Sequence, residues 1–275
     1  FADTDSADSV AGQGGQMFCD LVEERTDGRV VVEYYPASQL GGDKAITEAA
    51  IAGTVDIAKC SNGNFVQFSD ALEWVDLPGV LSSVEQVRKL FTSEYRDEVN
   101  AQILEDTGGI ALMFDVDAGE PRAIGSTKKE IRVPADMNGV KVRSTGSEIE
   151  LALFNNWGAS STSLDWGEVY INQSWVVSAK FIGPKAIEKL GGLDSELFQI
   201  VQECALECEV WKDKAFVEAN AESYEKLKEQ GVTIVELTDE EMALWTEASE
   251  AIWGEFVGEG KSISYDFIEY VQSFA

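Results

Sequence analysis

The sequence predicts a layered α/β protein, and three observations support this fold class. Amphipathic helices alternate with short strands rich in β-branched residues along the first 60 residues, and the same alternation resumes after Ser83. A helical pattern then continues almost unbroken from Glu196 to Gln230, about 50 Å at 1.5 Å per residue. With 275 residues, 44% of them hydrophobic, the chain can form a large core or two domains of ordinary size.

The first elements follow from local signals. The stretch GQMFCDLVEERT predicts an amphipathic helix that ends at Thr26-Asp27-Gly28. A strand is predicted from Arg29 to Pro36, because VVVEYY is β-branched and aromatic and proline ends the run. Asp43 is the expected N-cap of the helix KAITEAAIA, which Gly53 ends before the strand TVDIAKC.

The later elements repeat this order. The segment 85–108 predicts one helix, and GGIALMFDVDAG predicts a strand. The turn from Pro134 to Gly139 precedes a strand at VKVRS. After the long helix we expect a short strand at VTIVEL and two further helices. Since the sequence contains no low-complexity linker, any domain boundary must be a crossing of the chain.

Charge and composition exclude several classes of function. Fifty acidic residues against 21 basic ones give a formal charge of −29, which disfavours binding to nucleic acids and anionic membranes. No run approaches the roughly 18 apolar residues of a membrane span, and FADTDSADS lacks the features of a signal peptide. We therefore expect a soluble chain from which any signal peptide has already been removed.

Cysteine and histidine usage argues against a metal centre. The four cysteines form no CxxC pair, and the absence of histidine removes the common zinc ligand sets. Cys204 and Cys208 are one helical turn apart. Two half-buried apolar positions explain this spacing better than a disulfide does.

The stretch NGVKVRSTGS places an arginine, Arg143, at the end of a predicted strand. The small residues that follow it let a ligand approach the backbone, and a planar guanidinium suits a carboxylate. All seven arginines lie at or before Arg143, so an anion site has few candidates. The alternative is a surface arginine paired with one of the many acids.

Five segments in order carry a resemblance to a known family. These are residues 26–58, DLPGV at 76–80, VPADMNGVKVRS at 133–144, WGASSTSLDWGEVY at 157–170 and LKEQGVTIVEL at 227–237. They resemble the solute-binding proteins of tripartite ATP-independent periplasmic (TRAP) transporters. The resemblance implies an extracytoplasmic, periplasmic protein that binds a small organic acid in a cleft and delivers it to the TRAP membrane permease subunits.

The resemblance also implies the architecture. The expected fold is a two-lobed, periplasmic-binding-protein-like α/β fold with mixed sheets, crossing strands and a long lobe-spanning helix. We assign residues 1–121 plus 210–250 to lobe I, and residues 122–209 plus 251–275 to lobe II. The long helical pattern at 196–230 agrees with this arrangement.

Site residues follow from the matched motifs. Arg143 occupies the position of the arginine that forms a bidentate salt bridge with the substrate carboxylate in the family. Arg122, in GEPRAIGS, matches a second polar or basic contact, for which the alternative is a surface residue on a crossing strand. Trp166 matches an aromatic that lines the cleft. Thr145, one of the small residues in the turn after Arg143, is a further candidate for ligand contact.

The chain departs from the family pattern after Tyr170. The run NQSWVVSAKFIGP places Lys180 where one branch has a metal-ligating glutamate, Phe181 where that branch has tryptophan, and Gly183 in the shared Gly-Pro. A protonated lysine cannot ligate a cation, so we expect neither a metal nor another cofactor. Lys180 would supply positive charge to the ligand, or it is a solvated lysine that balances acidic neighbours.

Polar residues after the strand TVDIAKC are further candidates. Ser61, Asn62, Asn64 and Phe65 follow the strand end where open α/β sheets present ligand sites. Amides and a ring there could contact hydroxyl or carbonyl groups. For Phe65, Phe181 and Trp166, core packing is the alternative.

Two other classes of function compete with a transport role. An enzyme is disfavoured, because the sequence has no histidine, no G-x-S-x-G and no P-loop. A free-standing organic-acid sensor or scavenger with the same fold remains open. The solute also remains open: Arg122 and Lys180 permit a dicarboxylate or a sulfonate, and Trp166 and Phe181 permit an aromatic or larger apolar monocarboxylate.

Overall fold

The computed structural model describes residues 1–116, 129–163 and 175–275. The α-helices in this part are α1 (Val10–Arg25), α2 (Asp43–Ala52), α3 (Asn62–Phe65), α4 (Val84–Phe91), α5 (Tyr95–Thr107), α6 (Glu148–Asn156), α7 (Pro184–Lys189), α8 (Glu196–Glu229), α9 (Asp239–Glu250), α10 (Trp253–Phe256) and α11 (Tyr265–Gln272). The strands are β1 (Ile57–Ser61), β2 (Ile110–Val116), β3 (Lys141–Ser144), β4 (Ser160–Ser163) and β5 (Val177–Ile182). Short 3₁₀ helices lie at Glu73–Asp76 and Pro134–Met137. No described helix is both long and apolar enough to cross a membrane.

The larger sheet has the order β1-β5-β2, and both strand pairs are antiparallel. Every residue of these three strands is buried, because helices cover both faces of the sheet. Phe181 of β5 packs into the larger core with α2, α4 and α5, and Ile182 packs on the opposite face with α1 and α8. Lys180 lies opposite Lys59 across the β1–β5 pair.

The smaller sheet pairs β3 with β4 in parallel, with Lys141 opposite Ser160. Helix α6 connects the two strands and packs Phe154 against Trp157, with ring centroids 5.8 Å apart. Trp245 of α9 packs edge-on against Trp157 at 4.8 Å. In the described residues, the strands of the larger sheet are therefore antiparallel and those of the smaller sheet are parallel.

Several sequence predictions are confirmed. Helix α2 ends at Gly53, which adopts a left-handed conformation with φ of 74°. The long helix is α8, which has 34 residues and begins after the N-cap Ser195. The strands predicted at TVDIAKC and GGIALMFDVDAG are β1 and β2.

Other predictions were wrong. The strand expected from Arg29 to Pro36 is reduced to a single bridge at Tyr35, which pairs with the backbone of Ala2, and Val31 is exposed. Residues 232–237 belong to no strand. The helix predicted over 85–108 is two helices, because the hydroxyl groups of Thr92 and Ser93 donate to backbone carbonyls at the end of α4.

Two smaller assignments also change. The N-cap of α2 is Gly42, and Asp43 is the first helical residue. Cys204 and Cys208 are completely buried rather than half-buried, and both are free thiols. Burial raises the pKa of the Cys208 thiol to about 12, which makes it unreactive at neutral pH.

Candidate functional site

The site forms where the ends of β1 and β3 meet. Helix α3 begins directly after Ser61, and its Gly63 lies against Thr145, the residue after β3. A Cβ atom at Gly63 would be only 2.5 Å from the Thr145 hydroxyl oxygen. A glycine is therefore required for this close approach. Two segments that the sequence proposed separately, about 80 residues apart, are therefore in contact and make up the candidate site.

The end of β3 is fixed by the first turn of α6. The backbone N–H and the hydroxyl of Thr145 donate to the Glu150 carboxylate at 2.7 Å and 2.6 Å. Ser147 caps α6 by accepting from the Glu150 N–H. Arg143 lies two residues before Thr145, with its backbone opposite Thr162 in β4. The Arg143 side chain lies outside the described part of the structure.

The end of β1 is held by Asp43. Its carboxylate accepts hydrogen bonds from the Ser61 N–H at 3.0 Å, the Ser61 hydroxyl at 2.8 Å and the Asn64 amide at 3.1 Å. Burial alone would raise the pKa of Asp43, but Lys59 and these hydrogen bonds hold it well below its ordinary value. Ser61 and Asn64 are thus positioned by an ionised carboxylate.

Asn62 connects three elements. Its side-chain amide donates to Asp76 at 2.6 Å, and its carbonyl oxygen accepts from the Val177 N–H at 3.2 Å. Asn62 is 1% exposed. The Asn62 side chain thus links α3 to the 3₁₀ helix at Glu73–Asp76 and to the start of β5 through hydrogen bonds in the protein interior. A ligand contact by Asn62 stays a prediction.

Lys180 lies in a buried cluster of carboxylates. Its ammonium is 3.2 Å from Asp3, 3.6 Å from Asp5 and 3.7 Å from Asp115, and its side chain is 0% exposed. Burial alone would lower the pKa of Lys180, but these three carboxylates raise it above its ordinary value. Lys180 therefore balances acidic neighbours, as the alternative expected, but it is buried rather than solvated. A contact between Lys180 and the ligand stays a prediction.

Two more lysines extend this cluster. Lys212 of α8 pairs with Asp115, and the Lys59 ammonium lies 3.7 Å from Asp5. With Asp43 included, the described residues of this neighbourhood comprise three lysines and four aspartates. The cluster around Lys180 therefore carries no net positive charge, although it contains several ammonium groups.

The two phenylalanine candidates lie in the core. Phe65 and Phe181 are both completely buried, and their ring centroids are 5.9 Å apart. This is the core-packing arrangement, and a ligand contact for either ring stays a prediction. Gly183 has a packing role, because a Cβ atom there would be 2.0 Å from the carbonyl oxygen of Ala50 in α2.

The five arginines whose side chains the structure describes all form ion pairs within the chain. Arg88 binds Asp213 at 2.6 Å and Glu209 at 3.0 Å, and Arg96 lies 3.3 Å from Glu209. The others are Arg25 with Glu207, Arg29 with Glu196, and Arg132 with Glu130 and Glu241. The side chains of Arg122 and Arg143, which sequence motifs assigned to the ligand, lie outside the described part of the structure.

Several candidates fall outside the described residues. Arg122 and Trp166 lie in the segments 117–128 and 164–174, which the structure does not describe. The division into lobes depends on these crossing segments, so its boundaries stay a prediction. In the described ranges, no group of three or more Cys, Asp or Glu side chains could hold a metal ion.

Sequence reasoning missed the buried charges around the site. Asp3, Asp5, Lys59, Asp76 and Asp115 were not singled out, although they surround the candidate residues. A signal was present for two of them, because Lys59 and Asp115 interrupt otherwise apolar strands. A charged residue in such a strand requires a partner, and this indicates a buried ion pair.

Comparisons with known proteins agree with the fold. The family model described as "Bacterial extracellular solute-binding protein, family 7" (DctP) matches residues 1–174 and 188–259. The chain is 24% identical over 251 residues to the 2,3-diketo-L-gulonate-binding periplasmic protein of Escherichia coli K12, covering 80% of this chain and 75% of the relative. It is 26% identical over 278 residues to the C4-dicarboxylate-binding periplasmic protein of Vibrio cholerae, covering 90% and 81%.

Solved structures show the same fold. A TRAP periplasmic solute-binding protein from Sulfurospirillum deleyianum with bound succinate superposes with a TM-score of 0.87 at 23% identity, covering 100% of this chain and 97% of the other. One from Chromohalobacter salexigens with bound D-glucuronate gives a TM-score of 0.89 at 18% identity, covering 100% and 99%.

These comparisons confirm the resemblance to TRAP solute-binding proteins and the two-lobed α/β fold expected from it. The family match extends over most of the chain and includes the candidate site at Ser61–Phe65 and Arg143–Thr145. By this match, the chain belongs to the bacterial extracellular solute-binding proteins of family 7.

Proposed function

We propose that this protein binds a small organic acid between two lobes and delivers it to the membrane permease of a TRAP transporter. The observation that carries the proposal is the family match over residues 1–174 and 188–259, which spans both strand ends of the site. The lobes are residues 1–121 plus 210–250 and residues 122–209 plus 251–275. The protein acts as a binding protein in the periplasm, without catalysis.

A carboxylate is the ligand group that the relatives favour. Their names include succinate, D-glucuronate, β-D-galacturonate, C4-dicarboxylate and 2,3-diketo-L-gulonate, all of which carry at least one carboxylate. Arg143 binds this carboxylate in our proposal, and Arg122 makes a second contact. A bidentate arginine–carboxylate pair supplies two charge-assisted hydrogen bonds and fixes the orientation of the ligand.

The internal ion pairs support this assignment. Arg25, Arg29, Arg88, Arg96 and Arg132 are each paired with carboxylates of the chain itself. The lysines nearest the site, Lys59 and Lys180, also lie among aspartates. In a chain with a charge of −29, an anionic ligand needs positive charge beyond these described pairs, and our proposal assigns that role to Arg143 and Arg122.

The environment favours a hydroxylated or dicarboxylic acid over an aromatic one. The aromatic alternative depended on Trp166 and Phe181, and Phe181 is completely buried against Phe65. The side chains around the strand ends are mainly polar: Ser61, Asn64 and Thr145. A uronate or a C4-dicarboxylate offers hydroxyl or carboxylate groups to such side chains.

A thermal-shift screen followed by calorimetry tests the proposal. The panel contains succinate, D-glucuronate, β-D-galacturonate and 2,3-diketo-L-gulonate, with benzoate and taurine as the aromatic and sulfonate alternatives. We expect a carboxylate with further polar groups to raise the melting temperature and to bind with micromolar or better affinity. If benzoate or taurine binds and none of the sugar acids or dicarboxylates does, the ligand class is wrong.

Uptake experiments separate a transporter component from a sensor or scavenger. The identified acid is offered to proteoliposomes that contain the cognate TRAP permease, with and without this protein. Uptake that depends on the protein supports delivery. Tight binding with no effect on uptake would instead favour the free-standing sensor or scavenger.

A further inference from the structure

A row of buried charges connects helix α8 with the candidate site. It begins at Lys212 of α8, whose side chain is 2% exposed and pairs with Asp115 of β2. A Cβ atom at Gly14 of α1 would lie 2.5 Å from Cδ of Lys212, so the lysine can pass α1 only because a glycine occupies this position. Lys212 therefore reaches from α8 to the sheet.

The strands extend this row toward the site. Asp115 lies 3.7 Å from the Lys180 ammonium of β5, which lies 3.6 Å from Asp5. Asp5 is also 3.7 Å from the Lys59 ammonium of β1. Lys59 and Ser61 lie on one face of β1, because side chains two residues apart in a strand point to the same side. Cations and carboxylates thus alternate from α8 to the end of β1.

The last contacts of the row involve the polar side chains of the site. The Lys59 ammonium donates to the Thr4 hydroxyl at 3.4 Å, and that hydroxyl donates to the Asp43 carboxylate at 2.8 Å. The same carboxylate accepts hydrogen bonds from Ser61 and Asn64. The positions of Ser61 and Asn64 therefore depend on the charges behind Asp43 as well as on β1 itself.

The middle of the row is sensitive to the loss of one charge. Burial alone would raise the pKa of Asp115, but Lys212 and Lys180 hold it below its ordinary value, so Asp115 is ionised at neutral pH. Loss of Lys212 would make the buried Asp115 carboxylate attract Lys180 more strongly, because water does not screen the pair. A shift of Lys180 toward Asp115 would weaken its contact with Asp5, the next charge in the row.

From these contacts we propose that Lys212 is a positioning residue for the organic-acid site. Through the buried charges between α8 and β1, it holds the Ser61 and Asn64 side chains in the arrangement that receives the acid. The effect on the acid rests on the proposed function, whereas the effect on the end of β1 needs no ligand. The competing explanation is a local ion pair, which would stabilise the fold without a specific effect on Ser61.

Hydrogen exchange in the ligand-free protein, followed by NMR, separates these explanations. The backbone N–H of Ser61 donates to Asp43 at 3.0 Å, so its exchange rate reports on this contact. Lys212→Met removes the ammonium and keeps an unbranched side chain of similar length. Val201→Ala is the matched control, because Val201 lies in the same helix and is 2% exposed in the core beside α1, but carries no charge.

The two variants should differ at Ser61. We expect Lys212→Met to speed exchange at Ser61 about threefold to tenfold relative to the amides of α9, which contains no member of the row. Val201→Ala should change Ser61 and α9 alike. Where Lys212→Met does not fold, Asp115→Asn interrupts the row at the next charge and is measured instead. Equal changes at Ser61 and in α9 for the charge variant, or the same Ser61 response in Val201→Ala, would overturn the proposal.

Calorimetry with succinate and with D-glucuronate supplies a second measurement. We expect Lys212→Met to weaken binding of the acid about threefold to tenfold, and Val201→Ala to leave the affinity unchanged. Equal affinity in Lys212→Met and the wild type would show that the row does not position the site. If neither acid binds the wild type, that result counts against the proposed function alone, and hydrogen exchange at Ser61 decides the role of Lys212.

Discussion

The Lys180 ammonium lies 3.2 Å from the Asp3 carboxylate, and both side chains are completely buried. This pair connects strand β5 with the start of the chain, and Asp5 and Asp115 complete the group. The contact makes Lys180 an internal counter-charge in the described structure. Its role in stability can therefore be tested separately from any role in ligand binding.

Replacement of Lys180 by methionine should destabilise the fold. The buried Asp3 carboxylate would lose the ammonium paired with it, and Asp5 and Asp115 would each lose one of two nearby ammonium groups. Breaking a buried pair from one side costs about 3 to 5 kcal/mol of unfolding free energy. Lys189→Met is the matched control, because Lys189 is 63% exposed and pairs with Asp56 at the surface. Urea denaturation measures both. A Lys180→Met protein as stable as the wild type that binds its acid weakly would show that Lys180 contacts the ligand instead.

Chelation should leave ligand binding unchanged. The Lys180 ammonium already occupies the position among Asp3, Asp5 and Asp115 where a cation would be stabilised. Calorimetry with the identified acid, before and after exhaustive treatment with EDTA, checks this. Loss of binding on chelation, restored by added calcium or sodium, would contradict it.

Asp43 should make the protein sensitive to acid. The pKa of Asp43 in the folded state lies below its unfolded value, so its contribution to stability is complete above the unfolded pKa of about 3.9. That contribution is lost as the pH falls through the lower folded pKa. The wild type should thus lose stability between about pH 5 and pH 2.

Asp43→Asn separates this contribution from the rest of the chain. At neutral pH the variant should be less stable by about 1 to 3 kcal/mol, because the charged acceptor for Ser61 and Asn64 is removed. The difference should shrink as the pH falls, and denaturation at several pH values measures it. A constant difference from pH 7 to pH 2 would show that Asp43 is not ionised in the folded protein.

Gly63→Ala should disturb the contact between the two strand ends. The new methyl group would be 2.5 Å from the Thr145 hydroxyl oxygen, and overpacking of this kind costs about 1 to 3 kcal/mol. We expect weaker binding of the acid as well, because Thr145 follows Arg143 by two residues. Gly254→Ala in α10 is the control, since it has no atom within 4 Å of the added carbon. Equal affinity and stability in both variants would count against the site as described.

Local signals in the sequence predicted the regular elements well. The Gly53 stop of α2 and the 34-residue helix α8 depend on residues close in sequence, and both are confirmed. The run VTIVEL has the composition of a strand, but no described strand pairs with it. Strand formation requires a partner elsewhere in the chain, and composition does not supply that information.

The environment of Lys180 shows the same limit for the site. Its neighbours in VVSAKFI indicate a strand, yet its partner Asp3 is 177 residues away in sequence. Only the antiparallel order β1-β5-β2 and the packing of the first residues onto β1 bring the charges together. The proximity of Gly63 and Thr145 is likewise a consequence of tertiary packing.

The central claim is that Arg143 holds the carboxylate of the ligand, and calorimetry of Arg143→Ala with the identified acid tests it most directly. Arg29→Ala is the control, because Arg29 is 48% exposed and pairs with Glu196 at the surface. We expect Arg143→Ala to lose about 2 to 5 kcal/mol of binding free energy while the melting temperature stays close to that of the wild type. A folded Arg143→Ala protein that binds the acid as tightly as the wild type and the Arg29→Ala protein would contradict the account.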